Sequence, residues 1–186
     1  LCQFMLATDM IVKQKNGEIK KFNVEEVEEV IFEGSTIPVE DSTIVDESET
    51  PLKFKILSDS TVEVINDDSY RDALIDTIPI PSKVRIDGKV YSVTAIGEGA
   101  FRSCSGLTSI KIPSSVTTIE YAAFSWCSGL TSIEIPNSVT AIGQYAFGGC
   151  SGLTSIKIPE SVTAIKDSTF SDCSGLTSIE IPNSVT

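Results

Sequence analysis

CSGLTSIKIPSSVTTIEYAAFSW (residues 104–126) runs directly into CSGLTSIEIPNSVTAIGQYAFGG (127–149) and CSGLTSIKIPESVTAIKDSTFSD (150–172). Fourteen of the 23 columns are identical in all three copies, and a fourth begins CSGLTSIEIPNSVT at residues 173–186. A period of this size marks a repeat architecture, in which one unit cannot bury its own apolar edge and stacking does so instead. Upstream, Val93 to Gly97 and Ala100-Phe101 keep the same phase, so residues 91–103 are the tail of an earlier, divergent copy.

The apolar columns say what one unit does. Leu107, Ile110 and Ile112 are followed by Pro113, then by Val116, Ile119, Ala123 and Phe124. Neither a seven-residue nor a 3.6-residue period runs through the unit, which excludes a long helix. Leu-Thr-Ser-Ile-Lys-Ile, partly β-branched and ended by proline, predicts a short strand. Ser105-Gly106 turns into it and Pro113-Ser114-Ser115 turns out of it. Residues 116–119 predict a second short extended piece, and residues 120–126 a helical turn that drives Phe124 inward. Stacked coils then pair their strands about 4.8 Å apart.

The pattern L-x-x-I-x-I-P-x-S-V-T-x-I-x-x-x-A-F-x-x-C-S-x-L resembles the 23-residue leucine-rich repeat of BspA-like proteins, common among bacterial surface proteins. The likeness covers about residues 78–186, with one departure, Thr169-Phe170 where Ala-Phe is expected. That departure bears on local packing. The resemblance implies a β-dominated leucine-rich repeat solenoid, right-handed and exposed at a cell surface. It also implies adhesion and protein–protein contact rather than catalysis.

Side chains alternate across a strand, so the residues flanking the first isoleucine of L-x-x-I-x-I face away from the core. These are Ser109 with Lys111, Ser132 with Glu134, Ser155 with Lys157, and Ser178 with Glu180. Parallel stacking makes them a Lys-Glu-Lys-Glu ladder, free of the repulsion that a single-sign ladder suffers. The strip is either a self-paired solvated face or a flat polar surface for a protein or glycan ligand. It lacks the aromatic anchors that interfaces favour; Tyr121 and Trp126 lie in the turn segment instead.

Cys104, Cys127, Cys150 and Cys173 share one column and predict a ladder of small buried thiols. Parallel facing side chains suit a disulfide dihedral poorly, and four thiols strung along a solenoid do not converge on a metal.

The preceding residues need a separate reading. Residues 11–15 and 18–22 flank Asn16-Gly17, a hairpin signal of type I′. Asn23 with Glu26 is a capping-box pattern, predicting a helix over 24–30 and a strand at 31–32. The resulting small α+β module, residues 1–32, is similar to one found near the N-terminus of exported Bacteroidetes-type proteins. Residues 23–50 hold ten acidic side chains and no Lys or Arg. Residues 33–51 predict a solvated linker, and the acidic run lacks the Asp-x-Asp-x-Asp-Gly order of a calcium loop. Residues 52–57 and 61–65 predict strands, and Asp87-Gly88 predicts a tight hairpin between residues 83–86 and 89–91. Residues 52–92 thus form a β-rich cap for a solenoid over 93–186.

Composition narrows function further. The 186 residues carry a net charge of −12 and no histidine, which removes His-based triads, imidazole bases and His-ligated metals. Nucleic-acid binding is disfavoured, because phosphate contacts need clustered Lys and Arg. Most of the acidity precedes the repeats: residues 104–186 hold only 3 basic and 6 acidic side chains. No run approaches the 18 apolar residues of a membrane span. Residues 1–7, LCQFMLA, resemble the remnant of an export signal's apolar core, and Cys2 is a candidate lipid-anchor position although Leu1 is larger than a lipobox favours. The last copy breaks off after Thr186, from which further repeats or a covering partner are expected. No acid–base constellation and no cofactor site is visible, so two readings stand: a surface-binding module using its strand face, or a spacer that positions a distal domain.

Overall fold

The computed structural model describes strands at residues 9–13 and 19–23, and residues 44–67 and 77–186. Two compact units divide the chain, Leu1–Pro38 and Val39–Thr186. In the first, β1 (Asp9–Lys13) and β2 (Ile19–Asn23) pair antiparallel. The innermost described pair is Lys13 with Ile19. The expected turn, the helix over 24–30, the strand at 31–32 and the apolar start all lie outside the described residues.

The second unit begins with a departure from the expected linker. Ile44–Asp46 is strand β3, parallel to β7 (Lys83–Ile86), followed by a 3-10 turn at Glu47–Glu49. Two β-branched residues carry the strand, and the Arg85 guanidinium meets the Asp46 carboxylate at 3.1 Å. β4 (Lys53–Ile56) and β5 (Thr61–Ile65) pair antiparallel around residues 58–60, with Lys55 bridging to Glu63 at 2.8 Å. β6 (Thr77–Pro79) comes next in the chain. β7 and β8 (Lys89–Ile96) form the second expected hairpin, its Asp87 and Gly88 both at positive φ, 49° and 80°. That is the backbone of a type I′ turn.

The repeats contribute β9 (Ser109–Lys111), β10 (Thr118–Ile119), β11 (Ser132–Glu134), β12 (Ala141–Ile142), β13 (Ser155–Lys157) and β14 (Ser178–Glu180). Each pairs in parallel with its counterpart one coil away, so that identical columns fall in register: Ile110 with Ile133, Ile156 with Ile179, Ile119 with Ile142. Cap and solenoid are continuous. β8 crosses residues 92 and 93 without a break, pairing with β5 and β10, so that one seven-stranded sheet spans both. The stack also starts earlier than residue 91. Ile78 pairs with Ile110, 32 residues on, because this coil carries the β7–β8 hairpin as an insertion of nine residues over the repeat length.

Rows of identical side chains form the core. Val62, Val93, Val116, Val139 and Val162 are all fully buried, as are Leu130 and Leu153. Phe101, Phe124, Phe147 and Phe170 stack with centroids 5.3, 5.5 and 5.6 Å apart and nearly parallel planes. The segment that drives Phe124 inward is a string of turns, not a helical turn. Ala123, Ser125 and Cys127 N–H groups donate three residues back, to Glu120, Ala122 and Phe124. The alternate N–H groups of Ala122, Phe124 and Trp126 donate sideways to Gln144, Ala146 and Gly148 of the next coil. Those sideways bonds need two left-handed residues per unit. Gly99, Ala122, Tyr145 and Ser168 occupy one such column, and Ser103, Trp126, Gly149 and Asp172 the other, with φ between 51° and 76°.

Glycine at a third column answers to space rather than φ. A Cβ on Gly129, Gly152 or Gly175 would come within 2.4 Å of a serine carbonyl in the preceding coil. Stacked turns touch there, which explains an invariant glycine.

Candidate functional site: the strand face and its groove

The strand face is built by β9, β11, β13 and β14. Their central isoleucines point inward, with Ile110, Ile133 and Ile156 buried. The flanking residues project outward as alternation requires: Ser132, Glu134, Ser155, Lys157, Ser178, Glu180 and Lys111 are exposed, and Ser109 is half-buried. Register places Ser109 beside Ser132 and Lys111 beside Glu134, then Ser155 beside Ser178 and Lys157 beside Glu180. The charge order along the face is therefore the expected Lys-Glu-Lys-Glu.

Pairing along the ladder is less complete than that order suggests. Lys157 and Glu180 meet at 3.5 Å, while Glu134 makes no ion pair among the described residues. The sheet is also broken on the far side of Glu134. β6, β9 and β11 form one three-stranded sheet and β13 with β14 another, with no ladder between β11 and β13. The Thr154 N–H reaches the Thr131 carbonyl at 3.4 Å, against 3.1 Å for Thr131 to Thr108 and 3.0 Å for Thr177 to Thr154. Between the loosened coils lies a groove of about 330 Å³, lined by Ile133, Glu134, Ile135, Asn137, Lys157 and Pro159. It gives the polar strip an apolar floor between charges of opposite sign. Sequence reasoning missed it, since the columns on either side are identical to those of the tightly paired coils.

The turn side carries the exposed aromatic residues. Tyr121, Tyr145 and Trp126 are 44 %, 38 % and 55 % exposed. The thiol column lies inside. Cys104, Cys127 and Cys150 are buried, Cys173 is half-buried, and all four are free thiols. Cys127, Cys150 and Cys173 donate Sγ–H to the carbonyls of Phe101, Phe124 and Phe147, at 3.0, 3.1 and 3.1 Å. Burial, helped by the neighbouring thiols, pushes Cys150 up to about 12 and Cys127 still higher, so both are neutral and unreactive at physiological pH.

The comparisons with known proteins agree with this architecture. The family model described as "BspA type Leucine rich repeat region" matches residues 64–186 in six copies. The chain belongs to the BspA-type leucine-rich repeat family. Six copies are more than the cysteine-headed units reveal, in line with the hairpin-interrupted coil and with β5 extending the valine row. Among solved structures, this BspA-type chain is similar to a leucine-rich repeat protein from Bacteroides capillosus. Identity is 29 % and TM-score 0.62, covering 72 % of this chain and 96 % of that one. It is similar to a leucine rich cell surface protein from Faecalibacterium prausnitzii at 29 % identity and TM-score 0.57, covering 73 % of this chain and 42 % of that one. A leucine-rich repeat protein of T. pallidum matches at 25 % identity and TM-score 0.54, over 70 % of this chain and 69 % of that one. No curated protein matches the chain. Among the described residues of this BspA-type repeat protein, no helix is long and apolar enough to cross a membrane.

Proposed function

We propose that this BspA-type solenoid is a non-catalytic protein-interaction module of a secreted or cell-surface bacterial protein, and that its strand face makes the contact. The observation that carries the reading is the groove between β11 and β13. It sets an apolar floor of Ile133, Ile135 and Pro159 between Glu134, Asn137 and Lys157, in the middle of a face of exposed serines. A partner's apolar side chain seated there would be flanked by polar groups able to fix its orientation. A surface setting is supported by the likeness to a protein described as a leucine rich cell surface protein. Adhesion to a host or neighbouring-cell protein, or to a glycan, is the role such a face would serve.

A spacer role is favoured by one specific observation. Fourteen of 23 columns are identical, and the face differs from coil to coil only in the Lys/Glu column. A distance-setting stalk needs no more variation than that.

Charge reversal separates the two. The double substitution Lys111→Glu with Lys157→Glu, with folding checked by circular dichroism, is compared with the parent for binding to a panel of purified extracellular-matrix proteins and to intact bacteria. The strand-face reading expects binding to fall at least about tenfold, the loss of one or two close charge contacts. Undiminished binding would count against it, and no binding by the parent to any panel member would favour the spacer.

A further inference from the structure

A second surface lies on the turn side, where the repeats differ from one another. The two coils headed by Cys104 and Cys127 carry Tyr121, Trp126 and Tyr145 there, and these are the most exposed aromatic residues described. They form one continuous patch. The Tyr121 and Tyr145 rings meet edge to face at 6.0 Å. A Cβ on Gly148 would lie 3.4 Å from the Tyr145 ring, and one on Gly149 would lie 2.7 Å from the Trp126 ring. The Trp126 ring therefore rests on the bare Gly149 backbone, and the Tyr145 ring lies within contact distance of Gly148. The corresponding pairs in the other coils are Arg102-Ser103, Ser125-Trp126 and Ser171-Asp172, so only this coil has bare backbone at both positions. Left-handed φ does not by itself demand Gly149, since Ser103, Trp126 and Asp172 adopt the same region. What Gly149 supplies is the space that the Trp126 ring occupies.

Such rings contribute little to the core, which the phenylalanine row already fills, and they leave a large apolar area in water. Exposed Trp and Tyr in one patch are the residue types on which interfaces concentrate their energy. Their neighbours indicate the partner's chemistry. Glu98 and Asp167 hold the column of Tyr121 in other coils, and Glu120 directly precedes Tyr121. All three carboxylates are exposed, and none makes an ion pair among the described residues. Counting Asp172, the turn segments of these coils hold four carboxylates against two cations, Arg102 and Lys166. Aromatic faces beside unneutralised carboxylates suit a cationic side chain, attracted by the ring quadrupole and by the carboxylates together. A neutral sugar would use the rings and leave those charges unanswered.

We propose that the Tyr121–Tyr145–Trp126 shelf binds a basic, Arg- or Lys-containing segment of a protein partner. This surface is distinct from the strand face, and its test uses none of the strand-face residues. Trp126 is the chain's single tryptophan, so intrinsic fluorescence reports on the shelf directly. The probe is a synthetic peptide of alternating glycine and arginine, titrated into the full chain. A saturable change in Trp126 emission is expected, weakened at least about tenfold by Tyr121→Ala with Tyr145→Ala and by Glu98→Gln, Glu120→Gln and Asp167→Asn combined. For the tyrosine double variant, circular dichroism confirms folding and peptide binding is also read by calorimetry. A control variant with the same charge change elsewhere, Glu47→Gln, Glu49→Gln and Glu160→Gln, should bind as the parent does. An equal loss in that control would reduce the effect to bulk charge attraction and overturn the proposal. So would an unchanged spectrum, or a response to a neutral hexaose with none to the peptide.

Discussion

The Cys127 thiol donates to the Phe101 carbonyl at 3.0 Å, from one coil to the one before it. That carbonyl also accepts the Cys104 N–H at 3.1 Å, so the thiol occupies its second lone pair inside an apolar stack. The arrangement suits a neutral sulfhydryl and no ionised group.

It follows that the thiol column makes the fold sensitive to alkali. Burial raises the pKa of Cys127, Cys150 and Cys173, Cys150 to about 12. Thiols in the unfolded chain ionise near pH ~8.5. Below that pH both states keep the proton and the contribution is fully present. Above it the unfolded chain has lost protons that the folded chain retains, so stability falls as pH rises towards the folded values. The slope is at most about 1.4 kcal/mol per pH unit for each thiol. Urea midpoints measured from pH 8 to 10 should drop less steeply in Cys150→Ala than in the parent. Parallel slopes would refute the linkage.

Steric crowding sets the second expectation. A Cβ on Gly152 would lie 2.4 Å from the Ser128 carbonyl oxygen, a backbone atom that cannot swing aside. Gly152→Ala must separate two coils that the thiol, valine and phenylalanine rows hold together. A loss of about 1–3 kcal/mol is expected, read as a lower urea midpoint. A neutral outcome would mean that the turns do not approach as closely as this geometry has them.

Backbone strain gives the opposite sign at Ser103. Its φ is 63°, in the column where the neighbouring coils place Trp126 and Gly149, and its side chain is exposed. Ser103→Gly removes the left-handed penalty of roughly 1–2 kcal/mol and gives back less than about 1 kcal/mol in chain entropy. The melting temperature should rise by about 2–4 °C, as suits a gain near 1 kcal/mol in a chain of this size. A lower melting temperature would contradict the strain.

How far the chain can be read unaided depends on whether a feature is local or shared between coils. The inward columns were legible because Leu107, Ile110 and Ile112 alternate within one strand, and the Asp87-Gly88 hairpin because two adjacent residues define its turn. The turn segment at 120–126 was not. Its choice between helix and turns is made by bonds such as Ala122 N–H to the Gln144 carbonyl, which belong to two coils at once. β3 escaped for a similar reason: three residues carry no period, and Arg85, the partner of Asp46, lies 39 positions away. The coil containing Ile78 was hidden by the hairpin inserted in it. On the strand face, the order Lys111, Glu134, Lys157, Glu180 followed from spacing alone. The break between β11 and β13 did not, because nothing in the flanking columns distinguishes that junction from the others.

Serines in one column supply a paired test of how the cap meets the repeats. Ser138 and Ser184 donate Oγ–H to the Val116 and Val162 carbonyls of the preceding coil, at 2.7 and 2.8 Å. Ser115 holds the same column one coil earlier, yet its buried Oγ finds no partner among the described residues. The equivalent acceptor would be the carbonyl of Val93, a β8 residue whose N–H meets the Ser82 carbonyl at 2.9 Å as the inserted hairpin rejoins the stack. Ser138→Ala deletes a hydrogen bond and strands a half-buried hydroxyl's acceptor, at a cost of about 1 kcal/mol. Ser115→Ala deletes a hydroxyl that has been desolvated without return, so stability should stay level or rise by up to about 1 kcal/mol. The two variants make the same chemical change in the same column, which cancels most differences in the unfolded chain. Urea denaturation of both should therefore show midpoints moving apart, Ser138→Ala down and Ser115→Ala level or up. Equal losses would mean that Ser115 has a partner in solution, and that the serine row continues through the junction.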